Sequence, residues 1–64
     1  MTAYPFDSRV VSRGDLLVFK RDHSRRLLFK FCISDGSVVA TWLEKRMPQD
    51  AILRQKDVLI LRSA

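Results

Sequence analysis

Few side chains in this sequence are of a type that does chemistry, and fewer still are spaced so that they could cooperate. There is one histidine, His23, and one cysteine, Cys32. His23 lies between Asp22 and Ser24 in a polar stretch. Adjacent residues of a turn do not converge on one substrate atom, so an Asp22–His23 dyad gives way to a solvated turn histidine. Cys32 stands between Phe31 and Ile33. A reactive thiolate needs a partly exposed, electropositive setting, and a small buried apolar side chain is the simpler reading. A single His and a single Cys cannot build a His/Cys zinc cage, and a lone thiol closes no intrachain disulfide. The seven acids are scattered singly, and Asp15, Asp22, Asp35 and Asp57 fall at expected turns, where Asp bonds to nearby backbone. No Gly-rich phosphate loop is present. The sequence therefore predicts no catalytic residue, no metal and no cofactor, and the chain is not expected to be an enzyme.

The bases form a clearer pattern. Twelve Lys and Arg face seven Asp and Glu, a formal charge of +5, and such an excess favours a polyanionic partner. Seven of the twelve, Arg9, Arg13, Lys20, Arg21, Arg25, Arg26 and Lys30, fall within 22 residues. Lys20, Arg21, Arg25 and Arg26 flank one expected turn and could neutralise several phosphates, which would make binding salt-dependent. Phe29-Lys30-Phe31 interleaves aromatic and basic residues as base-stacking platforms do, although Phe29 and Phe31 share a face with Ile33 and read more strongly as core. These seven bases are the expected DNA or RNA contacts. The competing expectation is a protein-interaction module, either a homo-oligomer or an adaptor for an acidic protein, with Trp42, Leu17 and Leu59 at the interface.

The elements that position these residues are short. At 64 residues the chain forms one domain, 1–64. Residues 1–8 read as an extended arm in which Tyr4 and Phe6 flank Pro5 and tuck toward the core. Ser12 to Asp15 is a turn around Gly14, followed by the apolar run Leu16–Phe19, a strand. Residues 26–34 form the longest strand, with Phe29, Phe31 and Ile33 on one face and Leu28, Lys30 and Cys32 on the other. Asp35-Gly36 signals a type I′ hairpin, with positive φ at both central positions, that returns residues 37–43 onto that strand. Residues 48–57 are a connection in which Ile52 and Leu53 form a core anchor, a short strand or a helical turn, and Val58–Leu61 is the last strand.

Four to five short antiparallel strands make an all-β, SH3-like or OB-like small barrel. The alternative is α+β. Residues 35–47 also read as a helix capped by Ser34 and stopped by Pro48, lying on a three-stranded antiparallel sheet. Val38, Val39, Thr41 and Gly36 oppose that helix. Leu16–Phe19 and Val58–Leu61 are apolar at every position, as strands covered on both faces are. A chain this short has little with which to cover a second face, so a homodimer or larger oligomer is expected. No apolar run approaches the roughly 18 residues of a membrane span, and the first residues lack a signal-peptide pattern. With a lone thiol, this predicts a cytoplasmic protein that does not engage a membrane.

Overall fold

In a computed structural model, residues 2–44, 46–47 and 49–63 are described. They form a single antiparallel sheet of six strands: β1 (Thr2–Pro5), β2 (Leu16–Phe19), β3 (Arg26–Cys32), β4 (Val38–Trp42), β5 (Asp50–Leu53) and β6 (Val58–Arg62). The spatial order is β1-β6-β2-β3-β4-β5, and a 3₁₀ turn, Gln55–Asp57, leads into β6. The fold is small and all-β, with one strand more than the sequence suggests. The sheet is curled but open, since no pairing joins β1 to β5 among the described residues. The first strand comes from the expected arm, which is extended but hydrogen-bonded along β6 from Thr2↔Arg62 to Pro5↔Leu59. Its two aromatics part company: Tyr4 is exposed, while Phe6 packs on the core with its ring 5.9 Å from that of Phe29.

The helix alternative for residues 35–47 fails. Val38–Trp42 is a strand on β3, and the hairpin before it is closed by a turn of another type. Ile33 N–H donates to Ser37 O and Gly36 N–H to Ile33 O, the pattern of a three-residue loop. Only Gly36 takes positive φ (+90°), and Asp35 does not. Asp35 instead spends its carboxylate on the Ser37 N–H at 2.8 Å, an Asx turn. The expected type I′ turn is thus replaced by a turn that needs one left-handed residue.

The alternation assigned to β3 also breaks. Phe29 pairs with Ala40 and Phe31 with Val39, so β3 spends two steps against one on β4, and Lys30 is the extra residue of a bulge. Beyond it the faces exchange. Phe29 is buried, Phe31 is half-exposed on the outer face, and Cys32 turns inward to pack on the core. The core is Leu17, Leu27, Phe29, Val38, Ala40 and Ile60, with Phe6, Val11, Phe19, Trp42, Ala51 and Leu53 against it. Leu53 is the anchor expected of the β4–β6 connection, whereas Ile52 is 70% exposed. Leu17 is fully buried within one chain, which removes it from any interface.

The acids hold the turns. Asp15 accepts from Arg62 and from the Ser12 N–H at 2.8 Å, and both lower its pKa. Asp7 is lowered by the Arg9 N–H and side chain, Asp35 by the Ser37 N–H, and Asp50 by the Thr41 hydroxyl and then Lys30.

Three outcomes follow from this packing. Leu17→Ala leaves a cavity at the centre of the core and costs about 2–5 kcal/mol, most of what so small a domain holds, read as a collapsed urea midpoint. Gly36→Ala meets no clash, its nearest neighbour being Gln55 Nε2 at 3.6 Å, but forces a Cβ into positive φ and costs about 1–2 kcal/mol. Because Asp15, Asp7, Asp35 and Asp50 titrate lower in the folded state than the unfolded value of about 3.9, their stabilisation is complete above about pH 4. It is lost as pH falls through the folded values. Melting temperature should therefore drop below about pH 4, with a shallower drop in Asp15→Asn; an unchanged acid slope in that variant would refute the assignment.

Candidate nucleic-acid interface

The end of the sheet where β2 stops and β6 begins gathers bases from two distant parts of the chain. The pairing of β2 with β6 ends at Phe19↔Val58, and the Lys20 N–H continues the ladder by donating to Asp57 O at 3.0 Å. This sets Lys20-Arg21, which follow β2, beside Lys56-Asp57, which precede β6. The chain after Arg21 folds back, with Asp22 N–H donating to Phe19 O. The Asp22 carboxylate accepts from the Ser24 hydroxyl and N–H, which together with the nearby Arg25 hold its pKa below the usual range. Arg25 Nε lies 3.5 Å from Asp22 Oδ2, which draws its guanidinium back over the cleft.

The cleft that results is lined by Phe19, Lys20, Arg21, Asp22, Arg25, Arg54, Lys56 and Asp57. Five bases face two acids. Among the described residues Lys20, Arg21, Arg54 and Lys56 make no ion pair, so their charge is open to solvent and ligand. Arg25 also borders a neighbouring hollow with Trp42, Glu44, Arg46, Met47 and Gln49. The rings of Phe19 and Trp42 lie between the two hollows, 5.8 Å apart and tilted by 37°. Trp42 is half-buried, with Phe19 packed beneath it, and is not spread on an outer face.

Of the seven bases expected to act together, three do so: Lys20, Arg21 and Arg25. Arg26 pairs opposite Val18 and is not among the residues that line the cleft. Lys30 bonds to Asp50 at 3.1 Å, and Arg9 closes on Asp7 at 3.3 Å. Arg13 sits in the turn before β2. Phe29-Lys30-Phe31 is no platform, because the bulge buries the first ring and turns the second outward. The site gains Arg54, Lys56 and, in the adjoining hollow, Arg46. Sequence adjacency does not reveal them: Asp57 separates Lys56 from Val58, and only the pairing of β2 with β6 brings Arg54 and Lys56 beside Lys20-Arg21. A third hollow, over β1 and β6, is lined by Tyr4, Phe6, Val10, Ile60, Arg9 and Arg62 among others. Its two arginines are matched by Asp7 and Asp15, so it offers no free charge.

The remaining candidates for chemistry stay apart. His23 is exposed in the β2–β3 turn, and Cys32 is half-buried opposite Val38. Among the described residues no three His, Cys, Asp or Glu side chains come close enough to hold a metal. No helix among them is long and apolar enough to cross a membrane. Comparison of the chain with protein-family models, with curated proteins and with solved structures finds no match.

Proposed function

We propose that the protein is a small nucleic-acid-binding module that holds backbone phosphates in the cleft of Lys20, Arg21, Arg25, Arg54 and Lys56. The observation that carries this reading is the convergence, from two distant segments, of four bases with no acid partner among the described residues. Convergence of like charge costs free energy in the unliganded protein, and an anion bound between the bases relieves it. Phosphate contacts position a strand without reading its sequence. The half-buried Phe19–Trp42 pair beside the cleft offers one edge for stacking, which suits unpaired bases better than a duplex groove. In this reading the protein acts in the cytoplasm and has no catalytic role.

Fluorescence anisotropy with labelled single-stranded DNA, RNA and duplex DNA at a series of salt concentrations tests the proposal, with Trp42 emission as an internal reporter. Affinity should fall steeply with salt. The double variant Lys20→Ala/Arg21→Ala should flatten the slope of log K against log salt by roughly 1.4 on single strands and roughly 1.8 on duplex. Arg9→Ala, whose base already has a carboxylate partner, should leave the slope unchanged. Binding that ignores salt, or a cleft variant that binds as the parent does, would sink the reading. A partner retained from nuclease-treated lysate by the parent and lost by the cleft variant would assign the same charge to an acidic protein.

A further inference from the structure

The two edges of the sheet are not alike. The β1 edge carries Pro5, which has no N–H to offer, and its residues are Thr, Ala, Tyr and Pro. The β5 edge is a run of ordinary residues with an exposed isoleucine near its middle. Its free hydrogen-bonding groups can be located. Trp42 N–H donates to Gln49 O at 3.0 Å, which makes Trp42 and Gln49 a hydrogen-bonded pair. Bonded and non-bonded pairs alternate along an antiparallel ladder, so Ala51 and Leu53 bond to β4. The N–H and C=O groups of Asp50 and Ile52 point the other way, to the open edge. Arg54 continues the extended backbone (φ −90°, ψ 138°), so its N–H follows the same alternation, while its C=O is taken by the Asp57 N–H.

The side chains of this edge complement a copy of themselves. Asp50, Ile52 and Arg54 alternate along the strand and so share its outer face. An acid and a base stand two residues to either side of Ile52. An antiparallel copy centred on Ile52 therefore sets each Asp50, whose carboxylate already accepts from Thr41 and Lys30 of its own chain, opposite the other chain's Arg54, and Ile52 against Ile52. On the same face Phe31, Val39 and Ile52 pair across β3, β4 and β5 in one row. Phe31 is 50% exposed and Ile52 is 70% exposed. In the paired form this row runs on across the axis into the same row of the second copy.

We propose that β5 is a homodimerisation edge, which pairs antiparallel with β5 of a second copy about a two-fold axis through Ile52 and joins the two sheets into one. An interface of this kind is isologous and closed, so it stops at two copies. The backbone bonds supply attraction, the charges fix register, and the apolar row excludes water. The edge is short, so the dimer is a concentration-dependent one. The inference does not rest on the nucleic-acid reading, and its test contains no nucleic acid.

Light scattering after size exclusion, from low to high micromolar protein, should show the mass rise from one copy to two. Ile52→Lys should raise the dissociation constant at least about tenfold, because two ammonium groups then meet at the axis. Ile52 is exposed, so circular dichroism should remain that of the parent. Asp50→Arg and Arg54→Asp should each be monomeric alone, through like charges at both junctions. An equimolar mixture of these two variants should dimerise, since every junction then sets a base against an acid. A parent that stays monomeric throughout, an Ile52→Lys protein that dimerises as the parent does, or a mixture no more associated than its components would each overturn the proposal.

Discussion

The antiparallel pairing of β2 with β6 is the constraint on which the rest of the structure depends. Leu16–Phe19 and Val58–Leu61 lie roughly forty residues apart in the chain, yet they pair along their whole length. Closing so long a loop costs entropy that only burial can offset, and the pair supplies that burial on both faces. Leu17 and Ile60 face each other in the core, while Val18, opposite Leu59 on the other face, is also fully buried. In the strand order of the described residues it is the pairing that joins β1 and β6 to β2 through β5. The same pairing fixes the electrostatics, because the register that matches Phe19 with Val58 carries Lys20 to Asp57 and brings the bases of both segments to one place.

That placement explains why charge surplus and charge cluster are different quantities here. The surplus is a property of composition, but most of the acids are committed to turns. Asp7, Asp15, Asp22 and Asp35 each accept a backbone N–H within three residues, which is what a short loop needs to satisfy its donors. Three of the bases are drawn to carboxylates in the process: Arg9 to Asp7, Arg62 to Asp15 and Arg25 to Asp22. What remains uncompensated is concentrated at the junction of the 3₁₀ turn with the end of β2, where Asp22 engages Ser24 and Arg25 and leaves Lys20, Arg21, Arg54 and Lys56 without an ion pair among the described residues. The basic run that was most conspicuous in sequence, residues 20–26, contributes three of its four members. It needs Arg54 and Lys56 to become a cleft.

Much of the fold was legible because the chain is locally consistent. Leu16–Phe19 is a strand with the bounds its apolar run implied, and residues 38–42 return onto β3 because β-branched Val38, Val39 and Thr41 resist a helix. The failures have particular causes. A bulge at Lys30 leaves no mark on a period-two pattern, since one inserted residue simply exchanges the faces beyond it. Phe31 and Cys32 were misassigned for that reason alone. The Asp-Gly signal located the hairpin but not its type, because Asp35 finds more stabilisation from the Ser37 N–H than from a left-handed backbone. β5 was legible only as one option, a short strand at Ile52-Leu53 beside a core anchor or a helical turn, because Asp50-Ala51 is weakly β-forming and only tertiary pairing with Val38–Thr41 holds it. The site was half-legible for a different reason. Residues adjacent in sequence could be grouped by eye, while Arg54 and Lys56 join them only through a strand order that composition does not specify.

The outer face of the sheet returns to the same question of what a chain of this size can cover. Leu16, Leu28, Leu59 and Leu61 are already half-buried there within the single chain, so the two-sided apolar strands do not by themselves require a partner. The exposed apolar area that does remain is displaced toward β5, where Phe31 and Ile52 lie in one row. Arg54 stands at the boundary between that edge and the basic cleft. Under the two proposals its guanidinium would have two acceptors, a phosphate in the cleft and the carboxylate of Asp50 on a second copy. Since coupling between two binding events is reciprocal, an Arg54 shared in this way would make dimer formation and phosphate binding oppose each other by the same factor in both directions. A dimer in which Lys20, Arg21, Arg25 and Lys56 alone hold the phosphates escapes that opposition and gains two clefts on one body, so the side that Arg54 takes decides whether association weakens binding or multiplies it.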